Sequence, residues 1–177
     1  MTEPTAGHRS TSEYGRLLAE NQRYTEAFDR SALTAAPLSG LIILTCMDAR
    51  LDVEEALGLR TGDAHVIRNA GGLATDDAIR SIAVSQHLLG TDEIVVIEHT
   101  GCALHGADAD DLRDRFSRSL GIDLAAIEPQ PDLGQFPDLE ANLRAQVERI
   151  RTHPLLRPVP VHGLIFDVAN GRLTEVL

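Results

Sequence analysis

"LIILTCMDAR", residues 41–50, runs from an apolar stretch into a thiol, a carboxylate and a guanidinium. Leu41 to Thr45 is apolar on successive rather than alternate positions, as a strand covered on both faces requires, and such strands belong to parallel sheets. In open sheets of this kind ligands bind beyond the carboxyl ends of the strands. Cys46, Asp48 and Arg50 stand at that end.

Outward from this stretch, strands and helices alternate. Apolar spacing predicts a helix over 12–29, and "LTAAPLSG" interrupts it with Pro37 and Gly40. A short helix over 52–57 ends at Gly58, and a second strand covers 64–68 before the turn "NAGG". Thr75 caps the next helix, Asp76 and Asp77 favour its positive end, and Gly90 stops it. Its expected buried stripe is Ile79, Ile82, Ala83, Leu88 and Leu89. A third strand covers 94–97. "DADDLRDRFSRSLG" places acids early, arginines late and Leu112, Phe116 and Leu120 four residues apart, the pattern of an amphipathic helix. "IDLAAIEPQPDLGQFP" reads as an irregular connection, followed by a helix on Leu139, Leu143, Val147 and Ile150. "VHGLIFDVANGRLTEVL" reads as two strands joined at Asn170 and Gly171. The fold class is therefore α/β, a parallel sheet with helices on both faces.

At 177 residues the chain suits a single domain that buries its core without disulfides. We assign residues 1–11 to a flexible tail and 12–177 to the domain. Apolar content of 43% and charged content of 24% are those of a globular protein, and no apolar run approaches the roughly 20 residues of a membrane span. "MTEPTAGHRSTS" lacks the basic end and apolar stretch of a secretory signal, so a cytoplasmic location is expected. A formal charge of −11 argues against nucleic acid and anionic membranes as partners. All sixteen basic residues are arginine, which excludes Schiff-base lysine chemistry and a P-loop lysine.

The two cysteines, in a reducing compartment, favour metal or catalytic use. Cys46 follows the first strand, while His99 and Cys102 follow the third in "IVVIEHTGC". If those strands are neighbours the three side chains converge. Two thiolates and an imidazole suit zinc, and three protein ligands leave a fourth position open, as in catalytic sites. Taken singly, Cys46 reads equally well as a small buried hydrophobe and His-x-x-Cys as coincidence; the conjunction carries the metal reading.

"CMDAR" at 46–50, "RNAGG" at 68–72 and "HTGC" at 99–102, in that order, resemble motifs of the beta-class carbonic anhydrases, with a length similar to compact bacterial and archaeal members. The resemblance implies zinc held by Cys46, His99 and Cys102, an antiparallel strand extending the sheet, and a homodimer or homotetramer with the N-terminal helix packed on a partner subunit. It implies reversible hydration of carbon dioxide to bicarbonate by water that zinc makes acidic. Asp48 would orient that water while paired with Arg50, or swing onto zinc as a fourth ligand and shut the site; lower pH or loss of Arg50 would favour closure. Ala49, Gly101 and Ala103 depart from the usual motif residues. Relatives that hydrolyse carbonyl sulfide or carbon disulfide supply the alternative activity, and a silent zinc-stabilised dimer or a thiol sensor supplies the alternative of another class. His65 and His87 read as structural. His105, with an unperturbed pKa of about 6.5, reads as a loop residue rather than a proton relay. Gly71 and Gly72 read as a close backbone approach beside the metal, since no G-x-G-x-x-G is present.

Overall fold

The computed structural model describes residues 12–177, so the expected tail over 1–11 lies outside the described residues. The apolar run forms β1 (Leu41–Cys46), whose residues from Ile42 onward are all buried. β2 (Ala64–Asn69), β3 (Glu93–His99) and β4 (Val161–Phe166) run parallel with it, and β5 (Leu173–Glu175) is antiparallel to β4. The sheet order is β2-β1-β3-β4-β5. β1 therefore lies between β2 and β3, which explains why it reads as continuous core. Thr45, a buried hydroxyl within that run, donates to the Ile97 carbonyl at 2.8 Å.

Two apolar layers flank the sheet. On one face Ile42, Leu44, Ile94 and Val96 pack against α3 (Asp76–Leu88) and α5 (Leu139–Thr152) through Ile79, Ile82, Leu143, Val147 and Ile150. Each such side chain contributes roughly 1.5–3 kcal/mol relative to exposure. On the other face Ile43 and Ile97 pack with Val53 of the short α2 (Val53–Leu57). Around them Val66, Val95, Leu164 and Phe166 are only partly buried. α4 (Ala109–Leu120) follows the third strand's turn and has no fully buried residue.

Side chains set the helix starts. Asp52, Thr75, Asp108 and Asp138 each accept a backbone N–H of the first turn. Gly58 and Gly121 end α2 and α4 in the left-handed conformation. The Asn170–Gly171 turn closes through Gly171 N–H to the Asp167 carbonyl at 2.8 Å.

The expected stripe of α3 is corrected at one end. Leu88 is 76% exposed, whereas Ser85 and Gln86 are buried. Nine residues at 100° each put Leu88 opposite Ile79, so only a shorter stripe faces the sheet. Buried Ser85 is satisfied by His65 Nδ1 at 2.7 Å and Thr91 Oγ1 at 2.9 Å, and Gln86 Oε1 accepts the Arg157 N–H at 2.9 Å.

Residues up to Leu33 and residues Thr34–Leu177 form two units. The first contains α1 (Glu13–Glu26), capped by Ser12 Oγ accepting the Gly15 N–H at 3.2 Å and four residues shorter than its apolar spacing suggested. Tyr14, Leu17, Leu18, Tyr24 and Phe28 are exposed. Among the described residues no helix is long and apolar enough to cross a membrane.

Candidate metal centre

Adjacent parallel strands bring the sequence-predicted ligands together. Thr45 of β1 pairs with Ile97 of β3, so Cys46 at the end of one strand lies beside His99 at the end of the other. The following turn returns Cys102 to the same point. The two Sγ atoms and the imidazole nitrogen lie within 4.8 Å of one another, and all three side chains are buried. Tetrahedral zinc with bonds of about 2.3 Å to sulfur separates neighbouring donors by roughly 3.5–4 Å, so the cluster suits it with little adjustment.

His99 supplies the test of fit. Its Nδ1–H donates to the Thr100 carbonyl at 2.9 Å, which leaves Nε2 as a lone-pair acceptor. Nε2 is buried without a hydrogen-bond partner among the described residues. A buried polar atom in that condition costs roughly 1–3 kcal/mol unless something binds it, and a cation between the two thiols would do so. Burial pushes the Cys46 thiol up, but the neighbouring His99 imidazole and the backbone N–H groups of Asp48 and Gly71 outweigh it and bring it down to about 7. Burial raises the Cys102 thiol, and the neighbouring Cys46 charge raises it further. Burial opposes charging His99, yet Cys46 beside it wins and moves the imidazole up. One thiolate thus forms readily near neutral pH, and a cation would stabilise the second.

Beside the cluster, Asp48 is pinned. Arg50 donates from Nε to Oδ1 at 2.9 Å, from Nη2 to Oδ2 at 2.7 Å and from its backbone N–H to Oδ1 at 2.9 Å. These hydrogen bonds hold the Asp48 carboxyl well below the usual carboxylate range. Asp48 Oδ2 is 3.8 Å from His99 Nε2, close to the cluster while turned to Arg50. Arg50 Nη2 also donates to the Gly101 carbonyl at 2.9 Å and so ties the two loops together.

A cavity of about 440 Å³ opens over Cys46, Asp48 and Cys102. Its wall is apolar: Ala49, Ala70, Ala103 and Leu104 from the loops, Leu112 and Phe116 from α4, and Leu133. The sequence marked Leu112 and Phe116 only as a helical stripe, and no motif links them to the site. The NAGG turn makes the expected close approach. Gly72 has φ +69°, and a Cβ there would lie 3.0 Å from the Cys46 nitrogen. His65 bonds Ser85 and the Ala35 carbonyl, His87 bonds the Leu155 carbonyl, and His105 stacks on Phe136.

Glu98 went unnoticed in the sequence, although an acid inside "IVVIEH" was a signal. It is fully buried, and burial pushes its carboxyl up to about 8. Asn142 Nδ2 donates to Oε1 at 2.7 Å, and Oε2 has no partner among the described residues. The folded protein therefore binds a proton that the unfolded chain releases near pH 4.3, and stability falls as pH rises from about 4.5 to 8. Glu98→Gln is expected to flatten that slope in metal-free protein. The gain over wild type should be on the order of a few kcal/mol at pH 8 and near zero at pH 4, read by urea unfolding. Parallel stability curves would contradict the assignment.

Comparison with known proteins agrees with this geometry. A family model described as "Carbonic anhydrase" matches residues 41–173. The chain is 42% identical over 160 residues to "Beta-carbonic anhydrase 1" of Mycobacterium tuberculosis, covering 90% of this chain and 94% of that protein. It is 41% identical over 150 residues to a "Carbon disulfide hydrolase" of Acidithiobacillus thiooxidans, covering 75% of each. The crystal structure of a carbonic anhydrase from Streptococcus mutans superposes with a TM-score of 0.86 at 37% identity, covering 94% of this chain and 98% of that one.

Proposed function

Because the chain belongs to the beta-carbonic anhydrase family, we propose that it is a zinc enzyme that interconverts carbon dioxide and bicarbonate through Cys46, His99, Cys102, Asp48 and Arg50. The observation that carries this reading is the buried cluster of two thiols and an unpartnered imidazole Nε2 beneath an apolar cavity. Cys46, His99 and Cys102 would hold the metal and leave one position open. Zinc bound there supplies Lewis-acid activation of water near neutral pH.

The chain's own residues do the rest. Asp48 stays ionised because Arg50 holds it, so it serves as a fixed hydrogen-bond acceptor that orients the reacting water. Arg50 fixes Asp48 by holding its Oδ2, which lies 3.8 Å from His99 Nε2. The apolar wall of Ala49, Leu104, Leu112 and Phe116 suits a substrate without charge and offers little to retain an anionic product.

The same wall favours carbonyl sulfide or carbon disulfide as the second reading, and carbon disulfide hydrolases stand among the relatives. Residues 12–177 form the zinc domain in this account. The working form is a cytoplasmic homodimer or homotetramer, supported by the exposed apolar side chains of α1 and by the partly covered second face of the sheet.

The test is purified protein with zinc measured per chain, assayed against carbon dioxide, carbonyl sulfide and carbon disulfide. Fast hydration of carbon dioxide by zinc-loaded protein is expected. Turnover of a sulfur substrate alone would promote the second reading. Zinc-loaded protein inert toward all three would leave the zinc-stabilised dimer, and reversible thiol oxidation with zinc release would leave the sensor.

A further inference from the structure

The remaining motif, "RNAGG", contains an arginine that the mechanism above does not use. Arg68 is the penultimate residue of β2 and pairs in register with Thr45. Its Nε donates to the Cys46 carbonyl at 3.0 Å and its Nη2 to the Asp48 carbonyl at 2.7 Å. We infer that Arg68 is a positioning residue, a guanidinium staple across Met47 that sets where the Cys46 thiol and the Asp48 carboxylate stand. The inference deepens the zinc reading above and rests on it for its functional meaning.

The segment needs such a device because regular pairing gives out where the chemistry begins. β1 pairs with β3 only as far as Thr45 and Ile97. On the β2 side the last backbone bond is Met47 N–H to the Asn69 carbonyl at 2.9 Å. Beyond that point Arg50 ties the loop to the Gly101 carbonyl, on the β3 side only. Arg68 completes the opposite side. Its rigid planar fork takes two carbonyls two residues apart, so it fixes their spacing and the conformation of Met47 between them. A lysine is a single point donor on a flexible stem and cannot hold both.

A merely structural arginine would contribute general stability instead. The two roles separate on readouts other than turnover. Arg68→Ala is expected to weaken zinc affinity roughly 10- to 100-fold in chelator competition, the range for groups that orient a metal ligand. In metal-free protein at fixed pH, mass spectrometry of the alkylated peptides should show Cys46 modified several-fold faster and Cys102 unchanged. Arg68→Lys should share both defects in reduced degree while keeping the charge, and it carries the test if the alanine variant does not fold.

Wild-type zinc affinity with a wild-type Cys46 alkylation rate would overturn the inference. So would full rescue by lysine, or equal acceleration at Cys46 and Cys102, which marks general loosening. Wild-type protein that takes up no zinc would overturn the proposed function alone, since the alkylation comparison still decides the role of Arg68.

Discussion

Replacing Cys46 by serine is expected to give a folded protein without stoichiometric zinc and with carbon dioxide hydration reduced by about 10³-fold or more. The thiol at 46 is the ligand closest to ionised at neutral pH, brought to about 7 by His99 and two backbone N–H groups. A serine hydroxyl there does not ionise in that range and is a poor match for a borderline-soft cation. The fold has less at stake. Cys46 packs with Cys102 and Phe136, and exchanging a buried sulfur for oxygen at the edge of the core costs about 1–2 kcal/mol. Metal analysis, hydration rate and circular dichroism on the same preparation separate the two effects. Retained zinc with retained activity would remove Cys46 from the ligand set.

Arg50→Ala is expected to lower hydration by roughly 10²-fold or more with zinc still bound. Asp48 loses both guanidinium bonds at once, and its Oδ2 already lies 3.8 Å from His99 Nε2. The carboxyl rises toward its ordinary value of about 3.9 yet stays ionised at neutral pH, free to swing onto the open metal position. The loop also loses its tie to the Gly101 carbonyl. Arg50 is 52% exposed, so its removal leaves the core intact. In cobalt-substituted protein the variant should show the spectrum of a site closed by a fourth protein ligand, absent from wild type at the same pH. An unchanged spectrum with full activity would sink the gate.

The sign of the pH effect follows from the same pair. Arg50 lowers the Asp48 carboxyl, so whatever the pair contributes is present above the unfolded value near 3.9 and lost only as pH falls through the much lower folded value. Asp48 does not titrate between pH 5 and 8. Closure in mildly acid solution would therefore have to start at another group.

Much of this was legible in the chain. β1 announced itself because an inner strand of a parallel sheet is apolar on both faces, and the placement of Cys46, His99 and Cys102 followed from where parallel strands end. The cap of α3 was legible because Thr75 acts within three residues of itself. Contacts across the sheet were not. Leu112 and Phe116 line the cavity because α4 folds back over the β1 and β3 loops, a tertiary event that helical spacing cannot report. Glu98 is buried because Asn142, forty-four residues on, meets it from α5. Leu88 went astray because an apolar residue at a helix end was counted into a stripe whose phase it does not share.

Zinc K-edge X-ray absorption of the wild-type protein at neutral pH tests the account most directly. It predicts one zinc per chain with two sulfur scatterers at about 2.3 Å and one imidazole nitrogen at about 2.0–2.1 Å, a donor set that Cys46→Ser alters. Substoichiometric zinc, or a zinc site without sulfur, would contradict it.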